Sequence, residues 1–288
     1  MASTIRVFTL IFSLFCFLGA AFKSSSQNQP IKLSEEAQIS VITFGPYQGE
    51  LWSAFGHNGI RVFDPLLDMD WMYDWGRFDF EQTNFFWNFA RGKMLYSIGR
   101  TQKYPDVKSY YIKQNRSVKE QVLNLSKAEN QAFFNSLEHN NLPENRTYLY
   151  NYVYDNCATK IRDIIQEVVP TATLDLSFKV PKKSVRDLMD DYLSDQPWGD
   201  FIIDVALAHP IDNEASANTY LFLPDYVHLA LEGGTIENIV DTLPLIKDSI
   251  AINVMKNEKR TQSTFDPFNT FVLLFFIVGF VTNQNFKN

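Results

Sequence analysis

Residues 154–163 read YDNCATKIRD, and the fold turns on what this stretch becomes. Asp155 and Asn156 are favoured helix caps, and Ile161, Ile164, Ile165 and Val168 then recur along one side of a helix that stops before Pro170. Cys157 therefore falls in the first turn, where unsatisfied backbone N–H groups and the positive end of the helix dipole lower a thiol pKa. The same N–H groups can hold an oxyanion once the sulfur attacks a carbonyl. A thiol placed this way still needs a base, and without one it is a buried structural thiol.

The sequence has 4 histidines. His57 opens HNGIRVFD (57–64), a strand pattern that follows the turn AFG, so its ring can project from a sheet edge toward a helix packed on that sheet. His139 ends a helix among asparagines, His209 stands before Pro210 in a loop, and His228 lies between apolar helix positions, so surface or packing roles suit those three. In the neighbouring strand WMYDWG (71–76), Asp74 is the candidate to orient the imidazole, against the plain reading of an edge-strand aspartate. Asn156 either caps the helix or helps an oxyanion.

Working outward, ISVITF (39–44) reads as a strand ended by Gly45 and Pro46, and MLYSIGRT and SVKEQVLNL read as further strands. TNFFWNFARGK (83–93) and PDVKSYYIKQ read as helices, and Ser126 with Glu129 forms a capping box for another. SVRDLMDDYLSD and DYVHLALEGG read as helices that either form a second lobe or pack on the first domain.

At the N-terminus, Arg6, an apolar run from Val7 to Leu18 and the small residues Gly19, Ala20 and Ala21 predict a signal peptide over 1–21, which removes Cys16 with it. Export makes the remaining cysteine notable, because thiols in oxidising compartments are usually paired. Residues 22–36 have linker composition, 37–175 form the expected thiol domain, and 176–264 a helical extension. Residues 265–283 are a short apolar membrane anchor or, given the brevity of the run Phe271 to Val281, a buried C-terminal element.

A net charge of −7 and a pI near 5.2 argue against nucleic acid as partner. Arg91, Lys93, Arg100 and Lys103 form a local basic run that meets lipid phosphates or is a solvated face. Without a second cysteine after the signal or a close histidine pair, no metal site is expected. GPYQGELWSAFG lacks the lysine of a phosphate-binding loop, so no cofactor is expected either.

FGHNGIRV followed by DNCATKIRD, with YDWGRFDF, FARGK and RSVKEQVLNLS between them, resembles the N-terminal periplasmic domain of Lnb, a lipoprotein N-acyltransferase family of Bacteroidota. The resemblance runs from about Ile39 to Val169. More distantly, the order histidine first and cysteine later is similar to permuted NlpC-like thiol enzymes, among them the lecithin:retinol acyltransferases. The likeness implies an α+β, permuted papain-like core, with an antiparallel sheet packed on the helix of Cys157. It further implies that Cys157 takes an acyl chain from a membrane phospholipid as a thioester, with His57 as base, and passes it to the N-terminal amine of a lipoprotein. The C-terminal apolar region is shorter here than in acyl-transferring members. A thiol peptidase or amidase acting on cell-wall peptides, and a non-catalytic envelope binding module, are the competing readings.

Overall fold

The computed structural model describes residues 30–79, 81–84, 87–88, 91–177, 182–238, 241–255 and 266–285. The expected signal peptide, residues 22–29 of the linker and Phe85, Phe86, Phe89 and Ala90 of the Thr83–Lys93 helix lie outside them. Leu33–Asn288 form one unit, and the fold belongs to it.

Seven strands make one sheet: β1 (Gln38–Phe44), β2 (His57–Asp64), β3 (Met69–Arg77), β4 (Met94–Thr101), β5 (Val118–Leu123), β6 (Thr147–Tyr150) and β10 (Ile246–Asn253). Their order is β10-β5-β1-β2-β3-β4-β6, with every neighbouring pair antiparallel. β7 (Ala172–Thr173), β8 (Thr235–Glu237) and β9 (Thr242–Pro244) form a smaller sheet. The helices are α1 (Tyr104–Lys113), α2 (Lys127–Asn140), α3 (Cys157–Val168), α4 (Val185–Leu193), α5 (Pro197–Leu207), α6 (Pro224–Glu232) and α7 (Pro267–Asn285). The class is α+β with a large antiparallel sheet.

Strand alternation sorts the side chains onto two faces. Ile39, Val41, Ile60, Val62 and Tyr73 pack with Phe133, Phe134 and Leu137 of α2, Ile161 and Ile165 of α3, and Val227 and Leu231 of α6. Ile161 and Ile165 are wholly buried, each contributing roughly 1.5–3 kcal/mol of transfer free energy, which fixes the rotation of α3 and thereby of Cys157. On the opposite face Ile42, Phe44 and Met72 pack with Tyr104 of α1.

Two expectations change. His57 begins the central strand of the sheet, at its end, rather than lying along a sheet edge. The segment 176–264, read as a helical extension, supplies α4, α5 and α6 but also β8, β9 and β10, and β10 pairs with β5 to become an edge of the main sheet. Most of β10 is exposed, and Asp248 breaks the alternation of Ile246, Ile250 and Ile252, so it is held largely by backbone pairing with β5 and by burial of Ile246 at its start. Leu221, Val227, Leu245 and Ile246 join the main core, so the segment packs on the first domain and is not a second lobe.

Candidate active site

The start of α3 is fixed by Asn156. Its Oδ1 accepts from the amides of Ala158 at 2.8 Å and Thr159 at 3.0 Å, and Thr159 Oγ1 accepts from the Asn156 amide at 2.8 Å. Its Nδ2 donates to the carbonyls of Tyr152 at 2.9 Å and Phe222 at 2.8 Å. Both ends of the Asn156 amide are thus engaged, which corrects the oxyanion reading of this side chain: it is a cap that pins the helix end. The amide of Cys157 itself remains in the first turn, where a developing negative charge is favoured.

His57 lies opposite Phe44 in the β1–β2 register, on the sheet face that carries α1. Its ring runs nearly parallel to Phe44 (centroids 6.3 Å apart) and Tyr111 (6.4 Å apart), which limits its rotation. Nε2 meets Asp74 Oδ2 at 3.1 Å, leaving Nδ1 for the sulfur. Asp74 is held in turn by Arg77, whose Nε donates to Oδ1 at 2.8 Å and whose Nη2 reaches the same oxygen and Thr101 Oγ1 at 2.9 Å. Between Asp74 and Arg77 the β3–β4 register slips, and Gly76 takes φ 96° there. A Cβ on Gly76 would stand 4.0 Å from that of Cys157, so this bulge brings the strand alongside the thiol.

The electrostatics of the three side chains agree. Burial opposes ionisation of Cys157, but the charge of His57, the His57 ring and the Asn58 amide outweigh it and draw the thiol pKa below its ordinary value. Burial also disfavours the His57 imidazolium, yet Tyr111, the Cys157 sulfur and Asp74 raise its pKa well above that of a free imidazole. Against its own burial, Asp74 is lowered by His57 and Arg77. Each shift favours a thiolate–imidazolium pair, with Cys157 half-buried rather than sealed.

Several residues around the thiol carry no signal in the sequence. Tyr148, Tyr150 and Tyr152 are held neutral, first by burial and then by nearby negative charge including that of Cys157. From Tyr152 a run of ring contacts leads to Tyr150 (6.0 Å), Tyr96 (4.3 Å), Phe78 (5.1 Å) and the exposed Trp52 (6.4 Å). Arg116 is 2% exposed; its Nε donates to the Gly45 carbonyl at 2.7 Å and its guanidinium covers Tyr111 at 4.4 Å. Only the folded chain brings these rings and this cation together, since they come from separate elements.

The remaining candidates lie elsewhere. Arg91, Lys93 and Lys103 are exposed, whereas Arg100 is committed to Glu138 at 2.8 Å and lies over Trp71 at 4.3 Å, which corrects its reading as a lipid-phosphate ligand. His139 contacts Asn145, His209 pairs with Asp212, and His228 is half-buried in α6. Asp190, Asp200 and Asp204 bring carboxylate oxygens within 4.8 Å of one another. Burial, then the charges of Asp200 and Asp204, push Asp190 up to about 6, and Arg186 pairs with Asp204.

The sequence matches the family described as the Lnb N-terminal periplasmic domain over residues 31–191. No curated protein matches it. Among solved structures, the crystal structure of the type VI secretion system effector TseH is similar at 15% identity, covering 51% of this chain and 83% of that one with a TM-score of 0.34.

Proposed function

The chain belongs to the Lnb N-terminal periplasmic domain family, which covers more than half of it, and from this premise we propose that it is a cysteine acyltransferase working at a membrane. The observation that carries the reading is the meeting of Cys157, at a helix N-terminus, with an imidazole held from its far side by Asp74. The permuted papain-like arrangement, with histidine strand first and cysteine helix later, is part of the same reading.

In the first half-reaction His57 Nδ1 takes the Cys157 proton, and the thiolate attacks an ester carbonyl of a phospholipid. The carbonyl oxygen becomes an oxyanion at the N-terminus of α3, near the Cys157 amide. The intermediate collapses with cleavage of the ester C–O bond, His57 protonates the departing glycerol oxygen, and a lysophospholipid leaves. In the second half-reaction the α-amine of a lipoprotein N-terminus attacks the thioester. The new C–N bond forms, the C–S bond breaks, and the amine proton returns through His57 to sulfur. The row of rings from Trp52 to Tyr150 lies along the acyl chain, and α7, whose 18-residue stretch Pro267–Gln284 is long and apolar enough by length and composition to cross a membrane, holds the domain beside its substrates.

Intact-mass spectrometry after incubation with phospholipid vesicles tests this. The wild type is expected to gain a fatty-acyl mass that hydroxylamine removes. Cys157→Ser should gain none, and His57→Ala should acylate about 10²–10⁴ times more slowly. A protein that forms no adduct and whose thiol resists alkylation until unfolded would be a binding module; cleavage of cell-wall peptides without lipid adduct would make it a hydrolase.

A further inference from the structure

Helix α5 turns part of its apolar surface outward. Its acidic residues Asp200 and Asp204 turn toward α4, where their oxygens lie with Asp190 and where Arg186 pairs with Asp204. Ile203 is buried. Phe201, Ile202 and Val205 occupy the opposite side and are 36%, 53% and 65% exposed. A soluble helix places charge outward and apolar groups inward, because exposing apolar area forgoes about 25 cal/mol per Å². Here, beside the inward Ile203, two carboxylates face α4 while three apolar side chains face solvent over two turns.

The neighbour of this face indicates what covers it. Phe271 in the first turns of α7 stands 5.5 Å from Phe201 and 6.4 Å from Trp198, ring centre to ring centre. α7 has 19 residues, about 28 Å at 1.5 Å per residue, close to the thickness of a bilayer core, and its apolar side chains are exposed throughout. Asp266, Asn269 and Thr270 satisfy one another at its start, so the polar end of α7 sits at the level of α5. The apolar face of α5 is therefore continuous with the point where an apolar helix of membrane length begins.

We propose that Phe201, Ile202 and Val205 of α5 lie in the interfacial layer of the lipid membrane that α7 enters, so that the domain rests on lipid through a second contact. This rests on the membrane reading above and deepens it by fixing which side of the domain faces lipid. The Leu51–Ser53 turn, which carries the exposed Trp52, packs against the first turn of α5, where a Cβ on Gly199 would come within 2.5 Å of Leu51.

The test uses full-length protein reconstituted in phosphatidylcholine–phosphatidylglycerol vesicles, with Cys157→Ser in the background so that acyl transfer plays no part. An environment-sensitive fluorophore is attached at Ile202→Cys or, as reference, at Asp248→Cys on the exposed strand β10. With lipids spin-labelled near the headgroup, the label at 202 is expected to be quenched at least threefold more strongly than that at 248. Equal quenching at the two positions overturns the proposal, and equal quenching with label–label crosslinking at 202 assigns the face to a second copy of the chain. A second variant, Ile202→Glu with Val205→Glu in the Cys157 protein, should slow thioester formation from vesicles about tenfold and leave it unchanged from detergent-dispersed phospholipid. If no thioester forms from either lipid source while label 202 is still quenched, the acyl-transfer reading fails and the surface stands.

Discussion

Strands β2 and β3 carry two cation–carboxylate pairs on the same sheet face and on the same cross-strand diagonal: His57 with Asp74 at one end, Arg61 with Asp70 further along. Between them lie Gly59 and Met72. The backbone treats them alike, and the chemistry separates them. Arg61 donates Nε and Nη2 to Asp70 at 2.6 and 3.0 Å, gives Nη1 to both oxygens of Glu120, and is flanked by the rings of Phe63 and Tyr104. That pair is saturated and its cation does not titrate near neutral pH. His57 spends one nitrogen on Asp74 and keeps the other beside a sulfur. A charge pair becomes a candidate site when it leaves a valence unspent and aims it at a nucleophile.

The comparison breaks first if the saturated pair proves to be the reactive one. Arg61→Ala would leave Glu120, whose side chain is 6% exposed, and Asp70 without their cation, at a cost of about 3 kcal/mol. Thermal unfolding should show the loss, while the folded fraction alkylates at Cys157 at the wild-type rate.

Asp74→Asn sharpens the contrast from the other end. Asp74 helps to raise the His57 pKa, so removing its charge lets that pKa fall, and the basic limb of the acylation-rate profile should move to lower pH. The maximal rate should drop about tenfold or more as the imidazolium loses its partner. An unmoved limb would mean that Asp74 is as passive toward His57 as an ordinary strand aspartate.

The smallest effect is expected at the bulge. Gly76→Ala places a side chain at φ 96°, costing about 1 kcal/mol or slightly more, while the new methyl meets Cys157 only at an ordinary contact distance. Urea unfolding should shift and alkylation should not. A large change in thiol reactivity instead would make the bulge part of the thiol's positioning.

What the sequence reveals follows the range of the interactions. β1 to β5 and α3 are legible because apolar periodicity and local caps define them, and the Ser126–Glu129 capping box forms as its spacing implies. Cys157, His57 and Asp74 can be singled out because residue chemistry and strand order bring them to mind together. β10 is not legible, since Asp248 interrupts its alternation and most of it is exposed, and α5 goes unread because its apolar residues are split between an inward and an outward face. Nothing in the sequence marks Arg116 as buried; its place over Tyr111 depends on packing between α1 and the sheet.

The clamp on Asn156 also sets a timetable. A chain is synthesised from its N-terminus, so His57, Asp74 and Cys157 all emerge before the Phe222 carbonyl that holds the α3 cap and before β10, which completes the sheet. A nascent chain stopped at residue 191, where the family match ends, would carry all three side chains but neither of these supports. The candidate site is thus complete in composition long before it is complete in geometry, and the last third of the chain decides when its three side chains are held together.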